Sequence, residues 1–255
     1  MKLLLLVLLG ALCVSAIEID PRFSQNACIV IGNDDYNITC AIDDSYAPSE
    51  FPTQLPGTNQ LIYDSIDDAI RFCPFSPALI EFSGIVRSLG NVTYSNNKDL
   101  IIRGLDVQPG VPAVVVGLSA LHIVGEDVTI KMENFMAEGC ETENSFFIGS
   151  QTHPGCIVER SVVIDNVAFN HYSGPRLLCQ RSYFGHGYFE VTNSAFFYIS
   201  GQAIGLFGSQ PYSIHDNYFY WCGSETAACI MISTDPGQQT PEQQDLYNNN
   251  ILHVN

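Results

Sequence analysis

From residue 78 onward, apolar and polar side chains alternate along much of the chain, the period of strands with one buried face. Val162 and Ile164, and Phe189 and Val191, are typical pairs, and helical spacing is absent from these runs. The alternation recurs in one frame: apolar, polar, Asn or Asp, any residue, small or aromatic, then Phe. Ile164-Asp-Asn-Val-Ala-Phe169, Val191-Thr-Asn-Ser-Ala-Phe196 and Ile214-His-Asp-Asn-Tyr-Phe219 fit it best. Looser copies begin at Ile102, Ile130 and Leu246, so the six first residues are 28, 34, 27, 23 and 32 positions apart. Self-similarity at that period marks a solenoid, whose units bury an apolar face only by stacking on their neighbours.

The strands end in Asn-rich turns, and the repeat is too long for hexapeptide coils and lacks leucine-rich spacing. The pattern predicts an all-β fold: a right-handed parallel β-helix over residues 61–255, its coils stacked at the strand spacing of about 4.8 Å. A β-sandwich with irregular strands is the competing architecture. In the stacked arrangement Asn166, Asn193, Asp216 and Asn248 share one turn position, where left-handed backbone is tolerated and amides can bond along the stack. Phe135, Phe169, Phe196 and Phe219 share an interior column. One helix is expected, over Asp64–Cys73. Asp64 or Ser65 caps it, Ile66, Ala69, Ile70 and Cys73 form its apolar face, and Pro74 stops it. Lying just before the first regular strands, it is expected to cap the open end of the solenoid core. Residues 17–60 have no period and read as an irregular, disulfide-tied segment. The C-terminal rung, from Leu246, has no cap, which leaves three expectations: the β-helix continues in a longer protein, the N-terminal segment covers the edge, or a partner does, including a second copy by self-association.

Residues 1–16 join one basic residue, an apolar run and a Val-Ser-Ala end, the pattern of a secretory signal peptide. That run is short for a membrane span and no later one is longer, so a secreted, extracellular product without a membrane span is expected. Beyond it stand Cys28, Cys40, Cys73, Cys140, Cys156, Cys179, Cys222 and Cys229. An even number in a secreted chain points to disulfides, and short separations favour Cys28–Cys40, Cys140–Cys156 and Cys222–Cys229. No pair has zinc-finger spacing, so no metal site is expected from the cysteines. Asn37 and Asn91 head Asn-x-Thr glycosylation sequons. Net charge is −17, one unit more negative once Lys2 leaves with the leader. Such a surface excludes nucleic acid as a partner, and repels polyanionic sugars unless cations intervene.

A capped Ser65-Ile-Asp-Asp-Ala-Ile70 helix leads into Leu79-Ile-Glu-Phe-Ser-Gly-Ile-Val86, then Val92-Thr-Tyr-Ser-Asn-Asn-Lys-Asp-Leu-Ile-Ile-Arg-Gly104. This order resembles the opening of pectin-lyase-like right-handed β-helix proteins, where a similar Ser-Asn-Lys-x-hydrophobic-Ile-x-Gly stretch is common. The resemblance spans residues 60–251 as an architecture, with motifs of the fold and not of catalysis. It implies a polysaccharide or glycan partner and two styles of enzyme. Lyases remove the proton beside a uronate carboxylate with an Arg or Lys base, usually with Ca2+ neutralising the acid. Hydrolases of the polygalacturonase kind use paired carboxylates. Gly185-His-Gly187 matches one element of the latter, while the Asn-Thr-Asp, Asp-Asp and Arg-Ile-Lys elements expected around it are missing.

With the first residue of each frame inward, the next points outward, giving a column of Arg103, Lys131, Asp165, Thr192, His215 and Tyr247 on one face. Asp165, His186, His215 and Asp216 are the candidate catalytic residues, and Asp165 and Asp216 the candidate Ca2+ carboxylates of a lyase. Arg103, Lys131, Arg176 and Arg181 are candidate substrate-binding bases. Trp221, the sole tryptophan, adjoins Tyr218 and Tyr220 and offers a stacking surface for sugar rings. No nucleophile elbow, phosphate loop or dinucleotide fingerprint is present, so no cofactor beyond Ca2+ is expected. The residues therefore support two functions. One is a secreted β-helix that binds or processes polysaccharide along its long face, as lyase, hydrolase or glycan-binding adhesin. The other is a non-catalytic structural component of a cell wall, cell surface or virion.

Overall fold

The structure, a computed structural model, describes residues 21–33, 40, 52–124, 128–140, 146–149, 157–158, 160–182, 187–208, 210–225, 227–233, 244–246 and 250–253. Among these, every strand pairing is parallel except that of Thr53–Gln54 with Leu61–Tyr63. The strands form three stacks. The first runs through Ala78–Ser83, Leu100–Leu105, the leading halves of Thr129–Glu138 and Ser161–Tyr172, Phe189–Thr192, Tyr212–His215 and Gln244–Leu246. The second holds Ile85–Arg87, Ala113–Val116, the trailing halves of the two long strands, Ala195–Ile199, Tyr218–Cys222 and Ile251–His253. The third holds Asn91–Tyr94, Ala120–Ile123, Phe146–Gly149, Arg176–Ser182, Gln202–Gly208 and Ile230–Ser233. Residues from all three make one continuous apolar cluster.

Ile102, Met132, Ile164, Val191 and Ile214 are partners in successive strands, and all are buried. The second frame therefore begins at Met132, not Ile130. A period of two lets a frame slide by two residues without turning any side chain over, so alternation alone leaves that choice open. Phe169, Phe196 and Phe219 superpose, with ring centroids 5.3 and 4.7 Å apart. Phe135 stands outside this column because of the same slide: it partners Val167, and its ring meets Phe82 edge-on at 5.4 Å.

The turn after each leading segment is left-handed at Asn134, Asn166, Asn193 and Asp216 (φ 51–61°). Asn166 Nδ2 donates to Asn134 Oδ1 at 3.0 Å, but the longer ladder runs one residue further on. Val167 N donates to Ser194 Oγ (3.2 Å), Ser194 N to Asn217 Oδ1 (2.9 Å) and Asn217 N to Asn250 Oδ1 (3.0 Å). These side chains satisfy backbone groups that a turn takes out of the strand ladder. Asn248 lies outside the described residues.

Ser65 is the helix N-cap, its Oγ accepting from Asp68 N at 3.1 Å, and Ile66–Phe72 follows. Ile66, Ala69, Ile70 and Cys73 join the common core. Cys28–Cys73 ties the helix to Cys28–Ile31, a regular strand between Leu61–Tyr63 and Ala78–Ser83 inside the segment expected to be irregular. Cys40 bonds Cys140, 100 residues away, so the expected Cys28–Cys40 and Cys140–Cys156 bridges are not formed. Stacking brings residues whole repeats apart within bonding range, and spatial rather than sequence separation decides the pairing. Cys222–Cys229 is the local bridge expected, and Cys179 is also disulfide-bonded. Cys156 and Asn37 lie outside the described residues. Asn91 is exposed on the edge strand of the third stack, its Oδ1 accepting from Ser119 Oγ at 3.0 Å. Among the described residues no helix is long and apolar enough to cross a membrane.

Asp67, on the same helix, is wholly buried, with Leu89 N donating to Oδ2 at 2.8 Å and Oδ1 without a partner. Burial pushes its carboxyl above the ordinary 3.8, against the opposing pull of Leu89, Ser88 and Arg71. The folded chain then keeps this proton longer than the unfolded chain, so stability falls as pH rises from 3.8 through the raised folded value. Asp67→Asn is expected to remove that fall. Urea midpoints measured from below 3.8 to neutrality check it: equal slopes for wild type and variant would count against it.

Candidate functional site

The outward column of the first stack reads Glu81, Arg103, Glu133, Asp165, Thr192, His215. Lys131 stands two residues earlier, partnered with Ile101 and Val163, and Tyr247 lies outside the described residues. Arg103 Nη1 is 3.0 Å from Oε1 of the fully buried Glu81, and Arg103 Nε bonds Glu133. Lys131 Nζ is 2.5 Å from Glu133 Oε2, while Glu81 also accepts from Ser24 N and Oγ. Burial alone would lower the Arg103 guanidinium, but Glu133 and Glu81 hold it above its usual value. Burial likewise pushes the Glu133 carboxyl up, yet Lys131 and Arg103 keep it below the usual carboxylate range. Both bases are thus engaged in ion pairs with their own sheet.

Asp165 Oδ1 accepts from Thr192 Oγ1 (2.8 Å) and Asn193 Nδ2 (2.9 Å). His215 Nδ1 lies 2.7 Å from Asp216 Oδ2. Two strand spacings, about 10 Å, separate Asp165 from His215, too far to share a proton. Arg176 belongs to the third stack and sits over the Phe207 ring at 5.0 Å. The backbone of Arg181 lies in the same strand, and His186 is outside the described residues. The candidate acids and bases therefore do not meet in one cleft among the described residues. Cys40, Glu138 and Cys140 also gather, but the two sulfurs are bonded to each other and supply no thiolate for a metal.

A different corner does assemble a surface. Where each second-stack strand turns toward the third, the backbone is left-handed at His171, Tyr198 and Trp221 (φ 52, 54 and 53°). The flanking pairs Asn170–Phe197–Tyr220 and Tyr172–Ile199–Cys222 put the three in equivalent places. Left-handed backbone costs a residue with a Cβ roughly 1–2 kcal/mol, and Asn or Asp takes the other left-handed corner of this fold. Here aromatic residues take it instead. His171 stacks on Tyr198 at 5.0 Å with planes 5° apart, and Tyr198 lies 5.9 Å from Trp221. Tyr198 and Trp221 are 44% and 50% exposed. Buried Glu138 fixes the start of the row: it accepts from Asn170 Nδ2 (2.8 Å) and Cys140 N (3.2 Å) and faces His171 Nδ1 at 3.2 Å. Tyr172 turns inward and donates to Leu118 O at 3.1 Å; burial first and Glu138 second hold its phenol well above 10.0.

Beside this row lies a groove of about 800 Å³, lined by Tyr198, Ser200, Trp221, Ser224, Glu225 and Ala228 and floored by Cys222–Cys229. It shares Ser200, Ser224 and Ala227 with a shallower trough of about 410 Å³ that reaches Ser173 and Pro175. Gly201 and Gly223 sit tight against neighbouring backbone: a Cβ on Gly201 would come 2.0 Å from Gly174 O, and one on Gly223 2.9 Å from Ala227 O. The volume suits one or two sugar rings. Tyr218 and Tyr220, which sequence placed with Trp221, lie on the strand leading to it, stacked at 6.4 Å. Sequence reasoning missed Tyr198 and His171. The signal was there in the loops: His171-Tyr-Ser173, Tyr198-Ile-Ser200 and Trp221-Cys-Gly-Ser224 each pair an aromatic with a serine across a buried residue.

Comparison with protein-family models, with curated proteins and with solved structures finds no match for this chain.

Proposed function

We propose that this is a secreted right-handed parallel β-helix protein, resembling the pectin-lyase-like scaffold, that binds polysaccharide in the Trp221–Tyr198 groove. The three stacks visited in constant order support the β-helix, and the buried face of Ile66–Phe72 supports its role as the cap of the core. The exposed aromatic row at strained backbone positions beside a groove carries the functional reading, because aromatics there cost stability that packing does not require. Binding fits the groove better than cleavage. Among its described lining residues Glu225 is the one carboxylate and there is no Arg or Lys, whereas hydrolysis takes two carboxylates and lyase chemistry a base.

Affinity electrophoresis through neutral and acidic polysaccharides, with assays for new reducing ends and unsaturated products, tests this reading. Retardation without product supports it; product formation or no retardation by any polysaccharide contradicts it. The double variant Cys222→Ser, Cys229→Ser is expected to lose most affinity yet unfold cooperatively, since the bridge closes only a short loop and mainly shapes the groove floor. Calorimetric titration beside a urea melt checks this. A structural role is the second reading, favoured by exposed Ile251 (55%) and Leu252 (44%) on the last described strand of the second stack. Self-association through that strand would appear as concentration-dependent sedimentation.

A further inference from the structure

We infer that the ligand is an uncharged glycan chain lying along the stacking direction, with one sugar unit per repeat. This rests on the groove reading above and adds the ligand's charge, spacing and direction.

Trp221, Tyr198 and His171 come from three successive repeats, and so do Ser224, Ser200 and Ser173. Parallel strands fix the separation of the three aromatic positions near 4.8 Å, and the ring centroids stand 5.0 and 5.9 Å apart. Contacts repeated along a line at a constant interval recognise a ligand that repeats along the same line. Each repeat brings an aromatic and a serine hydroxyl to this corner: Trp221 is half exposed for C–H packing, Tyr198 and His171 present the rims of their mutual stack, and the hydroxyls both donate and accept.

Charge sets the class. The described lining holds Glu225 and no cation, buried Glu138 stands at the far end of the row, and the whole chain carries −17. A uronate or sulfate would enter against repulsion and meet no Arg or Lys among the described lining residues, so neutral hexoses or pentoses are favoured.

The test is calorimetric titration of the whole protein with cello-, manno- and xylo-oligosaccharides of one to six units, and with oligouronates of the same lengths, at low and high salt. Affinity for at least one neutral series is expected to rise with length and level off once the chain outruns the three repeats. Oligouronates of equal length should bind at least about tenfold more weakly at low salt, the gap narrowing as salt screens the repulsion. Tyr198→Ala should erase the gain from the second unit, so that a disaccharide binds no more tightly than a monosaccharide. Neutral binding that ignores length, or oligouronate binding of equal strength, overturns this inference and leaves the groove reading in place. Absence of binding by every saccharide overturns both.

Discussion

Replacing Trp221 with glycine is expected to weaken glycan binding strongly while costing the fold only a modest part of its stability. The indole is half exposed and at φ 53°, so it gives the folded chain only half of its burial and strains its backbone. Glycine relieves roughly 1–2 kcal/mol of left-handed strain and loses about 0.5–1 kcal/mol in chain entropy, and the net backbone gain partly offsets the lost burial. On the ligand side, covering an aromatic side chain is worth about 1.5–3 kcal/mol, or about a 10–100-fold change in affinity. Urea melts and calorimetry on one preparation separate the effects. A large loss of stability would make Trp221 a packing residue, and unchanged affinity would place the ligand elsewhere.

Phe196→Ala should be among the most damaging single changes in the molecule. Phe196 is fully buried between Phe169 at 5.3 Å and Phe219 at 4.7 Å, so truncation opens a cavity bounded above and below by neighbouring repeats. Such Phe→Ala changes cost about 3–5 kcal/mol, comparable with much of the stability of an ordinary domain. Because the rings touch, Phe196→Ala and Phe219→Ala should combine less than additively, whereas Phe196→Ala and Phe82→Ala, in another column, should add. Denaturant midpoints of the single and double variants measure this. A cost below about 1 kcal/mol for Phe196→Ala would mean the column is not tightly packed.

How far the sequence could be read follows from what each signal depends on. Alternation and the Asn-Phe frame depend only on the strand period and the turn, which are local, so parallel stacking and the Phe169–Phe196–Phe219 column were legible. Frame placement at Ile130 was not, because a shift of two preserves the pattern, and it moved Lys131 into a column that Glu133 occupies. Disulfide pairing failed for Cys28 and Cys40 because their partners, Cys73 and Cys140, come from other elements brought close only by folding. The aromatic row was half legible: Trp221 stood out as the sole tryptophan, while Tyr198 and His171 looked like ordinary loop residues until the register aligned them. Asp67 could be placed on the helix but not in its buried part, since its cover comes from Leu89, in a later loop.

Because Trp221 is the one tryptophan, its fluorescence reports directly on the groove. Titration of the unmodified protein with the tightest-binding neutral oligosaccharide should shift and then saturate the indole emission, at the concentrations where calorimetry registers binding. An emission spectrum that stays fixed while the sugar binds would show that the ligand sits away from this corner, contradicting the central claim.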